Sequence, residues 1–279
     1  MLLGIITVLS LLSAVGSCLA CGAFWGLGWL WVLPVSFVGS FLGWAILWFL
    51  FLCVLAALSD PKKPQEQDNK LYRVAVNLTT RAARTILRMR LHTEGLEKLP
   101  KDGRYMLVCN HIHILDPITL LGVLPQAQLA FISKQENGSM FLVGKIMHKI
   151  LCQPINREND REALKTILRC IQIIKEDKAS VGVFPEGYTS LDGLLHPFRS
   201  GAFKIAQKAN VPIVVCTLQN TNKVFSNITK GKATDVHLHL VDVIPAEELK
   251  GVTAVEVGDR VHKLMADDLG PALVLQEEE

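Results

Sequence analysis

Cys109-Asn110-His111-Ile112-His113-Ile114-Leu115-Asp116-Pro117 is a polar interruption between two apolar runs, 105–108 and 118–124. His111 and Asp116 can meet only if the chain turns between them, and the Asp-Pro step favours a turn or a helix start. Folded that way, Asp116 orients His111 as a general base. A plainer reading gives Asp116 a local task, because Asp before Pro ahead of an apolar run is also the pattern of a helix N-cap with proline at the first helical position. The same spacing recurs at His237 and Asp242. Those two lie in 236–242, an alternating run that reads as a strand, where an odd separation puts side chains on opposite faces and no dyad is expected.

Outward from that stretch, short apolar runs alternate with helical ones. Segments 105–109, 129–132, 181–184 and 212–218 read as strands, and 118–124 and 202–208 as helices. In 161–175, Leu164, Ile167, Leu168, Ile171 and Ile174 recur at three and four, behind Asn159 and Glu162 spaced as a capping box. Strand then helix, repeated, predicts a single α/β domain over 91–270 with a central mixed sheet flanked by helices. Residues 271–279 are set apart as an acidic tail.

The N-terminal part has a different composition. No Asp, Glu, Lys or Arg precedes Asp60, and two uncharged apolar runs, 2–24 and 35–58, flank Gly26-Leu27-Gly28 and Pro34. Each run is long enough as a helix to cross a hydrocarbon core of about 30 Å, so residues 1–60 are predicted to be a membrane-anchoring hydrophobic hairpin, spanning or re-entrant. Gly22/Gly26 and Gly39/Gly43 have the small-x3-small spacing of close helix contacts. Trp25, Trp29 and Trp31 cluster at the break, as an interfacial belt would. A cleaved signal peptide fits less well, since no Lys or Arg precedes the first run.

Lys62, Lys63, Lys70 and Arg73 follow the second run and place that end in the cytoplasm by the positive-inside rule. Residues 61–90 are predicted to be a basic juxtamembrane helix, with Arg81, Arg84 and Arg88 along one face. From 61 to 104 there are 11 basic and 5 acidic residues, a local balance of +6 against +3 for the whole chain. Such a stretch suits anionic membrane lipids; no nucleic-acid recognition motif accompanies it. Seven cysteines without paired spacing in the polar part indicate free thiols in a reducing compartment. Cys18 and Cys21 form a C-x2-C without companion ligands, a poor metal site.

Three further segments follow the dyad: Gln153-Pro154-Ile155-Asn156-Arg157, Phe184-Pro185-Glu186-Gly187-Tyr188-Thr189-Ser190, and Val211-Pro212-Ile213-Val214-Val215. In this order the four segments resemble the motifs of the glycerophospholipid acyltransferase family, in particular the 1-acyl-glycerol-3-phosphate acyltransferases, from about Arg90 to Leu218. The resemblance implies acyl transfer from a thioester, acyl-CoA or acyl carrier protein, to the sn-2 hydroxyl of lysophosphatidate, with no cofactor or metal. It makes His111 the base and Asp116 its orienter, and it has Glu186 with Gly187 shape the glycerol-phosphate pocket. A histidine of ordinary pKa near 6.5 held by a carboxylate suits the deprotonation of an attacking alcohol. No serine or cysteine nucleophile is required, and the chain lacks a G-x-S-x-G elbow.

The chain departs from the family pattern in two places. Cys152 and Gln153 stand where the second motif has a glycine, and Tyr188-Thr189-Ser190 stands where the third reads Thr-Arg-Ser. A phosphate-binding arginine is therefore missing from its usual position. Arg157, Lys134 and then Arg199 are the cations expected to replace it, and His113 is expected to be a solvated loop histidine. The departures leave open another lysophospholipid or an aminolipid as acceptor. A catalytically inactive, membrane-anchored lipid-binding protein, its dyad reduced to a helix cap, is the alternative from a different class.

Overall fold

The computed structural model describes residues 1–275 and separates into two compact units, Met1–Asp60 and a second unit that starts at Pro61. The last four residues, and with them the glutamates of the acidic tail expected at 271–279, lie outside the described residues. The earlier part of that segment is ordered, with a short turn at Pro271–Leu273 and a bridge from Val274 to Leu195.

In the first unit, α1 (Leu2–Ala20) packs on α2 (Trp29–Leu58). Both are long and apolar enough to cross a membrane by length and composition. The buried stripe of α1 is Leu2, Ile6, Ser10, Ala14 and Cys18 at strict intervals of four. Its small residues let a second helix backbone approach. The glycine pairs expected at the helix contact are not there: nothing stands within 4 Å of a side chain built at Gly26, Gly39 or Gly43. Pro34, expected to mark the break, lies inside α2. The hydroxyls of Thr7, Ser10, Ser13 and Ser17 each donate to a carbonyl four residues back, so none is left unsatisfied in apolar surroundings.

The second unit holds a seven-stranded sheet: β1 (Met89–Glu94), β2 (Met106–Cys109), β3 (Ala130–Lys134), β4 (Gln153–Ile155), β5 (Val181–Val183), β6 (Ile213–Gln219) and β7 (Thr234–Ile244). Their order is β1-β7-β6-β2-β5-β3-β4, parallel throughout except where β6 meets β7. Helices α3 (Lys70–Ile86), α4 (Leu115–Val123), α5 (Val143–Lys149), α6 (Asp160–Lys175), α7 (Lys204–Ala209), α8 (Val224–Thr229) and α9 (Ala254–Leu269) complete it. All four residues of β2 are buried, as a strand covered on both faces requires, which is why that segment reads as an unbroken apolar run. One core joins Met106, Val108, Val181, Val183, Ile213 and Val215 to Phe203 and to Val257, Val261 and Met265 of α9.

Several expectations shift in detail. Asn159 caps α6 by accepting from the N–H groups of Arg161 and Glu162, but Glu162 bonds to Asn156 instead of returning to Asn159, so half of the expected box forms. The complete box is at Thr253 and Glu256, at the start of α9. The strand expected at 236–242 is β7, and an irregularity beside Val215 and Cys216 corrects the parity argument. His237 pairs with Gln219 and Asp242 with Val215, four positions apart on β6, so both belong to one face of the sheet. They still form no dyad, because four residues of strand separate them by about 13 Å. His237 stacks on His92 at 4.9 Å. The histidine of β7 that does find a carboxylate is His239, whose Nδ1 is 2.5 Å from Asp268; Thr217 donates to the same carboxylate, tying β6, β7 and α9 together.

Arg73 is the main correction in the basic segment. It counts among the basic residues of a stretch expected to suit anionic lipids, yet it is 5 % exposed. Its guanidinium pairs with Asp68 at 2.8 Å and donates to the carbonyls of Gln128, Leu129 and Ile150. A buried guanidinium needs this many acceptors, and α3 is thereby locked onto the turns before β3 and β4. Arg81 and Arg88 likewise donate to backbone carbonyls, of Gly122 and Gly231. We expect Arg73→Ala to lower unfolding stability by about 3–5 kcal/mol, because it strands Asp68 in the interior. A denaturant midpoint measures this; unchanged stability with weaker binding to anionic vesicles would restore the headgroup role.

Candidate active site

The site is built at the carboxyl ends of β2 and β5, neighbours in the centre of the sheet, where open α/β sheets leave a crevice. Asn110, the first residue beyond β2, is buried and exchanges two hydrogen bonds with the backbone of Leu218, at 2.9 and 2.7 Å, so the chain leaves β2 in a set direction. The chain then turns back on itself into α4, whose first turn carries Asp116.

Asp116 does not cap α4; its carboxylate reaches back over the turn. Oδ2 accepts from the N–H groups of Ile112 and His113, at 2.8 and 2.7 Å, and lies 2.8 Å from His111 Nδ1. Oδ1 accepts from the Thr221 hydroxyl at 2.5 Å. Two backbone N–H groups and a hydroxyl donate to this buried carboxylate, which thus acts as an acceptor, and the imidazole places its Nδ1 proton there. Nε2 is then the basic nitrogen, on a ring that is only partly exposed. Phe184 stacks on the ring at 4.2 Å, with Phe131 stacked behind it at 5.4 Å, so the ring plane is fixed as well as its edge.

Glu186 holds the same residue by its backbone. Oε1 accepts from the His111 N–H at 2.7 Å; Oε2 accepts from the Ser190 hydroxyl and, at 3.1 Å, from the His196 N–H. Burial pushes the Glu186 carboxyl above its ordinary range, and these hydrogen bonds oppose that rise. The Ser190 N–H closes the bracket on the His111 carbonyl at 2.7 Å. Gly187 turns the chain between them at φ +82°, and a side chain there would stand 2.9 Å from Arg199 Cδ and Nε. The backbone angle favours glycine there, whereas the contact is with a flexible side chain that can shift.

Arg199 crosses over Gly187, and its charge lies close enough to Arg157 to pull that half-buried guanidinium below its usual range, after burial itself. Neither arginine has an ion-pair partner among the described residues. Lys134, at the end of β3, pairs with Glu136 at 3.0 Å, and Glu136 also lies within electrostatic reach of Arg157. Three cations and one carboxylate leave this corner with an excess of two positive charges. His113 is not solvated as expected: it is half-buried with its ring edge-on to Phe225 at 5.2 Å, and burial pushes its pKa down. Among the described residues no cluster of His, Cys, Asp or Glu converges as a metal site.

Sequence reading missed several participants. Thr221 and Asn110 carry no local signature, since their partners are more than a hundred residues away. Thr189 was visible only as a departure from the motif. In the structure its hydroxyl is 2.9 Å from His111 Nε2.

Residues 90–219 match the family described as Acyltransferase. The chain is also similar to proteins named 1-acyl-sn-glycerol-3-phosphate acyltransferase. It is 38 % identical over 139 residues to a chloroplastic enzyme of that name from Brassica napus, a match spanning 50 % of this chain and 40 % of the relative. It is 27 % identical over 226 residues to the alpha enzyme of Bos taurus, covering 78 % and 75 %. The crystal structure of the 1-acyl-sn-glycerophosphate acyltransferase PlsC from Thermotoga maritima has the same fold, with a TM-score of 0.62, 20 % identity, and coverage of 83 % of this chain and 91 % of that one. The chain spans about two fifths of the length of the plant relative.

Glu186 faces three protein donors, which assigns it a positioning task. Glutamine in its place offers one accepting oxygen for donors on both sides, leaving at least one unpaired at a cost of about 1–3 kcal/mol. We expect Glu186→Gln to lower kcat about tenfold or more with acceptor KM changed less than about twofold. A raised acceptor KM at unchanged kcat would move Glu186 into the acceptor pocket, as the resemblance implies.

Proposed function

We propose that the chain transfers a fatty acyl group from an acyl thioester to the sn-2 hydroxyl of 1-acyl-glycerol-3-phosphate, forming phosphatidate. The observation that carries this reading is that the loop whose Glu186 clamps His111 also carries Gly187, over which Arg199 crosses, with Arg157 within electrostatic reach of Arg199. The base takes the proton from the hydroxyl that attacks the thioester carbonyl, and Asp116 stabilises the imidazolium that results. The excess of two positive charges matches the charge of a phosphomonoester. Two guanidinium groups that repel each other gain from an anion between them, and Arg157 can hold two phosphate oxygens at once. Arg199 thus supplies the charge that Thr189 does not.

Ile114, Tyr188, Leu191 and Phe225 are exposed beside the dyad, an apolar border suited to acyl chains. The uncharged helices of residues 1–60 anchor the chain to a membrane, and the catalytic unit works on its cytoplasmic face, in line with the lysines that follow Asp60. A transfer assay on the purified chain, pairing acyl-CoA and acyl carrier protein donors with a panel of lyso-acceptors, tests the reaction directly. Transfer to lysophosphatidate above other acceptors is expected; preference for an acceptor without a phosphomonoester would overturn the assignment.

Arg157→Ala and Arg199→Ala should each raise acceptor KM more than tenfold and leave donor KM nearly unchanged, a tenfold change being about 1.4 kcal/mol. Loss of donor binding with acceptor binding kept would place these arginines on the donor side.

A further inference from the structure

Resting on the acyl-transfer reading above, we infer that a groove where α3 ends and β1 and β7 begin holds the phosphate groups of a CoA thioester, the donor of that reaction. The groove, of about 360 Å³, is lined by Arg84, Arg88 and Arg90 with Thr85 and Ala233, and by no carboxylate among the described residues. Arg84 is half-buried, and neither it nor Arg90 donates a hydrogen bond to the protein among the described residues. Arg88 gives Nη1 to the Gly231 carbonyl at 2.6 Å and keeps its other donors. Asp235, opposite Arg90 in the strand register, already pairs with His92 at 2.8 Å. The turn that Arg88 holds adds Lys230 and Lys232, both exposed. Five cations beside one engaged carboxylate gain from a polyanion among them, and arginine forks match phosphate oxygens.

The groove lies at the same end of the sheet as the dyad. β6 runs parallel to β2, β7 runs antiparallel to β6, and β1 runs parallel to β7, so β1 and β7 begin where β2 and β6 finish. In the order β1-β7-β6-β2 the start of β1 is three strand spacings from the end of β2, roughly 14 Å at about 4.8 Å each. Helix α8 connects the two places. Thr221, just before it, donates to Asp116; Phe225 in its first turn meets the ring of His113; and Gly231, just after it, accepts from Arg88.

That separation decides the ligand. In lysophosphatidate the phosphate is carried by the carbon next to the one that bears the sn-2 hydroxyl, too close for one to sit in the groove while the other meets His111. In a CoA thioester the pantetheine arm stands between the sulfur and the diphosphate, and extended it is long enough to span the gap. A diphosphate and a phosphomonoester together carry about four negative charges, the balance of the five cations and Asp235. Arg157 and Arg199 follow β4 and β5, on the other side of β2 from β1. Donor and acceptor phosphates therefore reach the dyad from opposite directions along the sheet.

The test uses the full chain with lysophosphatidate as acceptor and two donors, palmitoyl-CoA and palmitoyl-N-acetylcysteamine, which keeps the thioester and lacks the phosphates. Arg84→Ala combined with Arg90→Ala removes side chains that carry no hydrogen bond to the protein among the described residues. The double variant should raise KM for palmitoyl-CoA at least about tenfold more than KM for the truncated donor. Adenosine 3′,5′-bisphosphate should compete with palmitoyl-CoA in the original chain, and at least about tenfold less well in the variant. Lys175→Ala, which removes a charge from α6 instead, should change neither KM by more than about twofold. Equal changes in KM for the two donors, no binding of the bisphosphate to the original chain, or transfer from palmitoyl-acyl carrier protein with none from palmitoyl-CoA would overturn the inference and leave the acyltransferase reading intact. So would a double variant that loses binding to phosphatidylglycerol vesicles at unchanged donor KM, which marks the groove as a lipid headgroup site. If the original chain transfers acyl with no donor and acceptor, both fall together.

Discussion

A single buried carboxylate, that of Asp116, holds the site together. A carboxylate in the interior costs several kcal/mol unless its lone pairs are occupied, and here both oxygens are, by two backbone N–H groups, an imidazole and a threonine hydroxyl. Those donors come from the loop after β2 and from the segment after β6, while the carboxylate itself comes from α4. Satisfying one charge thus fixes the relative position of three parts of the chain and, with them, the tautomer of His111. Glu186 repeats the device from the β5 side. His111 is consequently held by its N–H, its carbonyl and its ring.

Charge is distributed unevenly around this frame. The position that carries a cation in the motif is here Thr189, whose hydroxyl is 2.9 Å from His111 Nε2. Positive charge stands instead at Arg157 and Arg199, one contributed by the segment after β4 and one by the segment after β5. On the proposed function, deprotonation and recognition of phosphate fall to different residues. Elsewhere the basic residues are less available to ligands than composition implies, since Arg73, Arg81 and Arg88 spend hydrogen bonds on backbone carbonyls.

The parts of the fold that could be read from residues were those with strong local patterns: the apolar N-terminal helices, the buried central strands, and amphipathic α6. Edge strands escaped notice. β1, Met-Arg-Leu-His-Thr-Glu, pairs on one side only and shows no apolar run, and β4 is three residues long with a proline that only an edge position tolerates. The antiparallel contact of β6 with β7 and its irregularity depend on pairing across the sheet, which local periodicity does not report. At the site, the dyad and the loop of Glu186 were legible because they are short in sequence. The contribution of Thr221, the burial of Arg73 and the placement of Thr189 on Nε2 arise from contacts between distant segments. No pattern in one segment encodes them.

The measurement that bears most directly on the central role of the Asp116–His111 pair is the acyl-transfer rate of His111→Ala in a sample whose unfolding midpoint matches the original chain. His237→Ala, on an exposed strand position away from the pair, serves as the control. The expected result is a loss of about 10²–10⁴ in rate for His111→Ala and little change for His237→Ala. A well-folded His111→Ala protein that transfers acyl groups at near the original rate would contradict the role assigned to the pair.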